Sequence, residues 1–359
     1  MPIESLSIDG FRNIEPVHLK FSSRFNLFIG ENAAGKTSLL EALYVLSRGR
    51  SFRSRYLDKL VQRDAESFQL LARLAANDDR TIPVGMQRSA GRLVCRVDGQ
   101  AVKRLSDMAS LIPVQWVGGN LHALIDDGPA TRRQMIDWGL FHVKPDYIVV
   151  WKQFQNLLKQ RNAALRQGRP AREVQVWDRD LGLAAERLHQ YRAAYLESLQ
   201  PIVTRLRALF PVLTHELVLN YRKGWLKERA YAEQLKEGLE SDCDKGFTQS
   251  GPQRAELELK YGDKSARDGM SRGQQKLLVT TLLAAQSTLL FDETGKKSLF
   301  LLDDLGAELD SAHQQRVFEL LAGINAQVFI TAISESLCVP ESQSMRRFHV
   351  KHGRVSEMV

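Results

Sequence analysis

An eight-residue string near the start, Gly30-Glu31-Asn32-Ala33-Ala34-Gly35-Lys36-Thr37, narrows the possible folds of this 359-residue chain more than anything else in it. It fits GxxxxGK[ST]. Phe25-Asn26-Leu27-Phe28-Ile29 in front is a short apolar run that suits a buried strand. Thr37 to Ser47 behind carries Leu39, Leu40, Leu43 and Leu46 at helical spacing. Glycines let the main chain curl with its N–H groups inward, and a helix start adds positive dipole. In this reading the main chain from Gly30 to Gly35 wraps phosphates, Lys36 reaches the β and γ groups, and Thr37 ligates Mg2+. The plainer alternative is an ordinary glycine-bounded strand–helix turn.

Such a loop needs an acid on a neighbouring strand. Leu299-Phe300-Leu301-Leu302-Asp303-Asp304 offers one: four apolar residues, then two carboxylates where parallel sheets place ligands. Asp303 is expected behind Thr37 and Mg2+, and Asp304 beside the attacking water. Lys36 and Asp303 lie 267 residues apart, which predicts a nucleotide fold interrupted by a large insertion, the plan of ABC-type ATPases of the SMC group. Ser271-Arg272-Gly273-Gln274-Gln275-Lys276, with its serine 32 residues before Asp303, resembles the ABC signature SxGQ. Ser271 and Gly273 at a helix start form a second phosphate corner, which in ABC proteins faces the nucleotide of the other subunit; a plain N-cap is the simpler reading of Ser271. Ala307-Glu308-Leu309-Asp310 resembles the ABC D-loop. Gln115, at a strand end, is a Q-loop candidate for sensing Mg2+ or water, with a surface glutamine as the alternative.

The resemblance narrows further. Phe11-Arg12-Asn13, the run from Gly30 to Tyr44, Gly49-Arg50-Ser51-Phe52-Arg53, Gly128-Pro129 with Arg132-Arg133, Gly251-Pro252-Gln253-Arg254, SRGQQK and DDLGAELD resemble the RecF family of bacterial recombination-mediator ATPases, in family order over nearly the full chain. The chain departs from that pattern at Gly119-Asn120, where Pro-Glu is usual, at Ala307, where serine is usual, and at Ala255-Glu256, where paired acids are usual. The resemblance implies an ATP-dependent homodimer that clamps single-stranded, gapped or junction DNA, with a weak DNA-stimulated ATPase as a switch. It also implies loading of RecA with RecR and RecO as partners, in replication, repair and the SOS response. It extends the nucleotide contacts to Arg12 and Ser38.

The expected fold is α/β: an ABC-type P-loop ATPase head of mixed sheets with helices, formed by 1–110 and 251–359, and an inserted, mainly helical lobe over 111–250. Strands are expected at Phe68 to Leu74, Ile82 to Met86 and Leu93 to Val97, with Asp98-Gly99 as a type I′ hairpin signal. Helices are expected from Pro129, over Asp146 to Gln167 and over Glu173 to Leu209, with Pro201 kinking or breaking the last. That lobe is too short for an SMC arm.

Charge adds a partner class. The chain carries 50 Lys and Arg against 42 Asp and Glu, for a net +8, and 13 against 6 of these fall between Arg48 and Arg104. Arg48, Arg50, Arg53 and Arg55 follow the P-loop helix closely and are candidates for contact with a DNA backbone. Nothing resembles a base-reading module. No apolar run reaches the ~18 residues of a membrane span. No secretory signal is visible at Met1-Pro2-Ile3-Glu4, and Cys95, Cys243 and Cys338 make no zinc or disulfide spacing, which fits a cytoplasmic protein. An ABC subunit driving a membrane permease is the rival reading. Ala332-Ile333-Ser334, where transporters carry a switch histidine, argues against it.

Overall fold

Alternating burial along Ile3–Asp9 (β1) starts the first sheet: Ile3, Leu6 and Ile8 point inward. The step from Ile3 to Leu6 is three residues, and the ladder shifts register between Ile3 and Ser5, so a bulge keeps all three on one face. The computed structural model describes residues 1–76, 80–118, 122–304, 310–333 and 344–358. The chain divides into one unit of Met1–Leu121 with Lys276–Val359 and a second of His122–Gln275.

In the first unit, β1 lies between Val17–Lys20 (β2) and Ser67–Ala75 (β4), followed by Thr81–Ser89 (β5), Arg92–Val97 (β6) and Gln100–Ala101 (β7), all antiparallel. Asp98 and Gly99 both adopt positive φ, 49° and 77°, as a two-residue type I′ turn requires. The second sheet runs Arg354–Met358 (β15), Met345–Lys351 (β14), Phe25–Ile29 (β3), Ala326–Ala332 (β13), Ser298–Leu302 (β12) and Val114–Val117 (β8). It is parallel except for the β14–β15 hairpin. Every residue of β3, β12 and β13 is buried, which explains their mainly apolar texture. Helix Lys36–Arg48 (α1) is buried on nearly all sides, and one apolar cluster joins its leucines to side chains of both sheets. Phe21 stacks edge-on against Phe329 at 4.9 Å and Phe28 lies 5.4 Å from Phe348, which holds the P-loop strand in register with its neighbours. Helices Leu105–Leu111 (α2) and Ser311–Gly323 (α12) also belong to this unit.

The second unit holds Ala123–Asp126 (α3), Pro129–Val143 (α4), Tyr147–Arg166 (α5), Ala171–Val174 (α6), Asp178–Arg207 (α7), Tyr231–Glu237 (α8), Leu239–Lys245 (α9) and Ala266–Gly269 (α10). It also holds a three-stranded antiparallel sheet of Leu217–Arg222 (β9), Glu256–Tyr261 (β10) and Lys264–Ser265 (β11). Helix Arg272–Thr294 (α11) carries the chain from this unit back into the first. Unit boundaries fall at 121/122 and 275/276 rather than 110/111 and 250/251. The first shift has a plain cause: β8 pairs with β12, so the strand placed at the entrance of the insertion is a member of the P-loop sheet. Pro201 does not end its helix. Leu199 and Val203 are buried on either side of it, and the Gln200 amide bonds to Leu217 O at 2.8 Å and Leu219 N at 2.9 Å, tying this stretch to β9. Those contacts hold the turn that lacks the proline N–H.

The two Gly-Pro elements meet inside the second unit. Arg132 makes a bidentate pair with Glu256, at 2.9 and 3.1 Å, and Arg133 donates to Ala255 O at 2.8 Å. One carboxylate thus meets Arg132 here, and a main-chain carbonyl meets Arg133. Arg192, buried, bridges Pro252 O at 2.9 Å and Asp137. Among the described residues no helix is long and apolar enough to cross a membrane. Cys95 and Cys243 are free thiols, and Cys338 lies outside the described residues.

Candidate nucleotide-binding site

The P-loop is shaped by what crowds it. A Cβ on Gly30 would meet Val350 O at 2.1 Å, so β14 allows no side chain there. Gly35 takes φ 117°, a conformation L side chains rarely adopt, just before α1 begins. The tip of the β14–β15 hairpin braces the loop: Gly353 N donates to Ala34 O at 2.8 Å, and Glu15 N donates to Gly353 O at 3.0 Å. Lys36 Nζ folds back onto the carbonyls of Gly30 and Glu31, at 2.8 and 2.9 Å. Burial pushes the Lys36 ammonium below its ordinary pKa, against the pull of Asp304 and Asp303. Among the described residues no carboxylate hydrogen-bonds this cation, which leaves it to an incoming anion.

The acids close the other side. Thr37 Oγ1 lies 3.0 Å from both Asp303 oxygens. Asp304 sits at φ 50°, and its N–H donates to Thr331 Oγ1 at 2.8 Å, while Thr331 Oγ1 donates to Asp303 Oδ1 at 2.7 Å. Arg12, Asn13, Asn32, Lys36, Thr37, Ser38, Arg53 and both acids line one cavity of about 560 Å3, large enough for a nucleotide triphosphate. One hydroxyl and one carboxylate are a sparse donor set that suits Mg2+, which keeps water and substrate phosphate among its ligands.

Several expected residues have other work. Gln115 is buried, donates to Gln286 Oε1 at 3.2 Å and does not line the cavity. It pairs with Phe300, three residues short of Asp303, so its position in the strand withdraws it from the site. Arg48 is half-buried: its guanidinium lies near Tyr44, and burial lowers its pKa. Gly49 ends the helix behind it, turning the chain at φ 62° beside Leu105. Arg53 lines the cavity and lies 3.8 Å from Glu41. Arg50 and Arg55 are exposed. Arg12 makes a bidentate pair with buried Glu41, at 2.9 and 2.7 Å, so it reaches the cavity as a held side chain. Ser38 donates to Asn13 Oδ1 at 3.0 Å.

Ser271 lies in the second unit. Its hydroxyl accepts from Gln274 N at 3.3 Å while Gln274 Oε1 accepts from Ser271 N at 2.9 Å, a reciprocal capping box at the start of α11. The SxGQ string is thus a helix start with an exposed serine and Gly273 in its first turn. Ala307, Glu308 and Leu309 of the D-loop, and Gly119-Asn120, lie outside the described residues. Asp310 caps α12, accepting from His313 N at 2.8 Å. Thr331, Glu41 and Gly353 escaped the sequence reading. Glu41 alone had a legible signal, a carboxylate among the leucines of an apolar helix.

The chain matches the family described as RecF/RecN/SMC N terminal domain over residues 2–356. It is 37% identical over 359 residues to a DNA replication and repair protein RecF of Vibrio atlanticus (strain LGP32), covering 99% of this chain and 100% of that protein. A solved structure of the recombination mediator protein RecF with ATP, in the RecFOR pathway, superposes with a TM-score of 0.85 at 26% identity, covering 100% of this chain and 98% of that one. An Smc head bound to the C-terminal winged-helix domain of ScpA shares the fold alone, at TM-score 0.61 and 16% identity over 100% of this chain and 98% of that one. A chain that follows RecF proteins from end to end at this identity, on the same ATPase-head fold, belongs to the RecF family.

Proposed function

We propose that this chain is an ATP-switched DNA-binding protein of recombinational repair, which dimerises on ATP, clamps single-stranded, gapped or junction DNA, and resets by slow hydrolysis. The observation that carries the reading is the single cavity that holds an anion-ready Lys36 beside the Thr37–Asp303 pair and Asp304. Lys36 and the loop N–H groups bind the β and γ phosphates, Arg12 and Ser38 border them, and Thr37 and Asp303 hold Mg2+. Mg2+ supplies charge withdrawal from the phosphate oxygens. Asp304 orients the attacking water and accepts its proton at the carboxylate. Ser271 and Gly273 serve the site of a second copy, where the exposed serine hydroxyl and the start of α11 face that copy's γ-phosphate.

The DNA reading rests on charge. The net +8 and the exposed Arg50 and Arg55 favour a polyanion bound through its backbone. Similarity to RecF proteins supports a place in DNA replication and repair, RecA loading with RecR and RecO, the SOS response, and a cytoplasmic location. The test is gapped-DNA binding with and without ATP, across salt concentrations. Binding that ATP strengthens and salt weakens supports the reading. Equal binding with and without ATP sinks the switch.

A further inference from the structure

We propose that the Thr331 hydroxyl is a positioning residue that sets both acids of the site at once; this rests on the nucleotide reading of the cavity. Thr331 is fully buried near the end of β13, the strand between the P-loop strand and the acid strand. Its register partner in β3 is Phe28, while Leu302 of β12 pairs with the preceding Ile330. One residue further along the same register, Thr331 lies level with Asp303, the first residue beyond β12. The one hydroxyl proton goes to Asp303 Oδ1 at 2.7 Å, and a lone pair takes Asp304 N–H at 2.8 Å.

Each bond has a consequence. Asp303 has its two oxygens level with Thr37 Oγ1, both at 3.0 Å, and the Thr331 bond to Oδ1 keeps the carboxylate in that plane. Asp304 is held at φ 50°, a region a non-glycine residue occupies only when its surroundings insist. The Thr331 oxygen is what receives its N–H there, and the residue lines the cavity with Lys36. The other buried polar residue of β13, Gln327, is spent on the main chain of Ile3 and Ser22. Thr331 is thus the residue of this strand whose polar group is turned to the acids. The strand needs a β-branched side chain at a buried position, and valine has the same shape. The hydroxyl serves the acids rather than the fold.

The experiment uses the full chain with Thr331→Val, Thr331→Ser and Lys36→Met. ATP binding is followed by a fluorescent analogue across Mg2+ concentrations, alongside ATP turnover and the melting temperature. Thr331→Val is expected to stay folded with a melting temperature no more than a few degrees below wild type, the cost of leaving Asp304 N–H without its acceptor. It should need about 10-fold more Mg2+ for half-maximal binding and turn over about 10- to 100-fold more slowly, the usual loss when a group that orients a metal-binding side chain is removed. Thr331→Ser should stay within about 3-fold of wild type, because it keeps the oxygen. Thr331→Ala repeats the hydroxyl loss with more room, should valine disturb packing. Wild-type Mg2+ dependence in the valine or alanine protein overturns the proposal, as does a serine protein that fails as they do. Wild-type chain that binds no ATP, or binds it equally with Lys36→Met, overturns the nucleotide reading instead.

Discussion

Lys36 is a buried cation with no carboxylate bonded to it among the described residues, and that has two separable effects. Among the described residues its ammonium bonds to the Gly30 and Glu31 carbonyls, and burial already disfavours its charge. Lys36→Met is therefore expected to leave the melting temperature unchanged or raised, since no ion pair is broken. ATP affinity should fall about tenfold or more, because a hydrogen bond to a charged group is worth about 1.5–3 kcal/mol. Calorimetric titration and thermal melts check the two separately. The paired acids divide in the same way. Asp304→Asn should retain ATP and slow hydrolysis about 10²- to 10⁴-fold by losing the proton acceptor, while Asp303→Asn should raise the Mg2+ requirement. Hydrolysis at the wild-type rate by the Asp304→Asn protein would move the water-orienting role elsewhere in the cavity.

A strand end or a hairpin tip decides what such residues can do. The β14–β15 turn takes positive φ at His352 and Gly353, 48° and 85°, and a Cβ on Gly353 would lie 1.9 Å from Asn13 O. The tip therefore presses into the space between Asn13 and the P-loop, with its N–H on Ala34. Gly353→Ala should weaken ATP binding and lower the melting temperature. Gly91 is the control: it has φ 74° with nothing within 4 Å of the added Cβ. Gly91→Ala carries only the left-handed penalty of about 1–2 kcal/mol and should leave ATP binding intact. Equal loss of binding in both would show that the hairpin does not brace the loop. Gln115 shows the same in reverse, since its place inside a strand sets it away from the cavity.

The exposed start of α11 bears on a second copy of the chain. Ser271 closes its own capping box yet stays exposed, which leaves it available to a facing nucleotide. Ser271→Arg is expected to bind ATP nearly normally as a monomer and to fail in dimerisation and hydrolysis, by light scattering and ATPase assay. Mixed with Lys36→Met chains it should recover part of the activity, because one composite site of the mixed dimer is intact. Normal hydrolysis by Ser271→Arg alone would rule out the role in the partner's site.

What the amino-acid sequence determined by itself is what neighbouring residues decide together. The apolar run, the glycine-bounded loop and the leucine stripe of α1 are local, so the phosphate loop was legible, as were the acids after Leu302 and the N-cap at Ser271. The I′ turn at Asp98-Gly99 was legible for the same reason, since positive φ at both positions is a property of two residues. Tertiary structure alone decided the strand order β15-β14-β3-β13-β12-β8, whose neighbours lie as far apart in sequence as Phe25 and Val328. From that order follow Thr331 between the acids, Gly353 against the P-loop and the burial of Gln115. It also drew β8 out of the insertion and into the P-loop sheet. Each of these depends on which backbone hydrogen bonds pair distant strands, and no short stretch of sequence carries that choice.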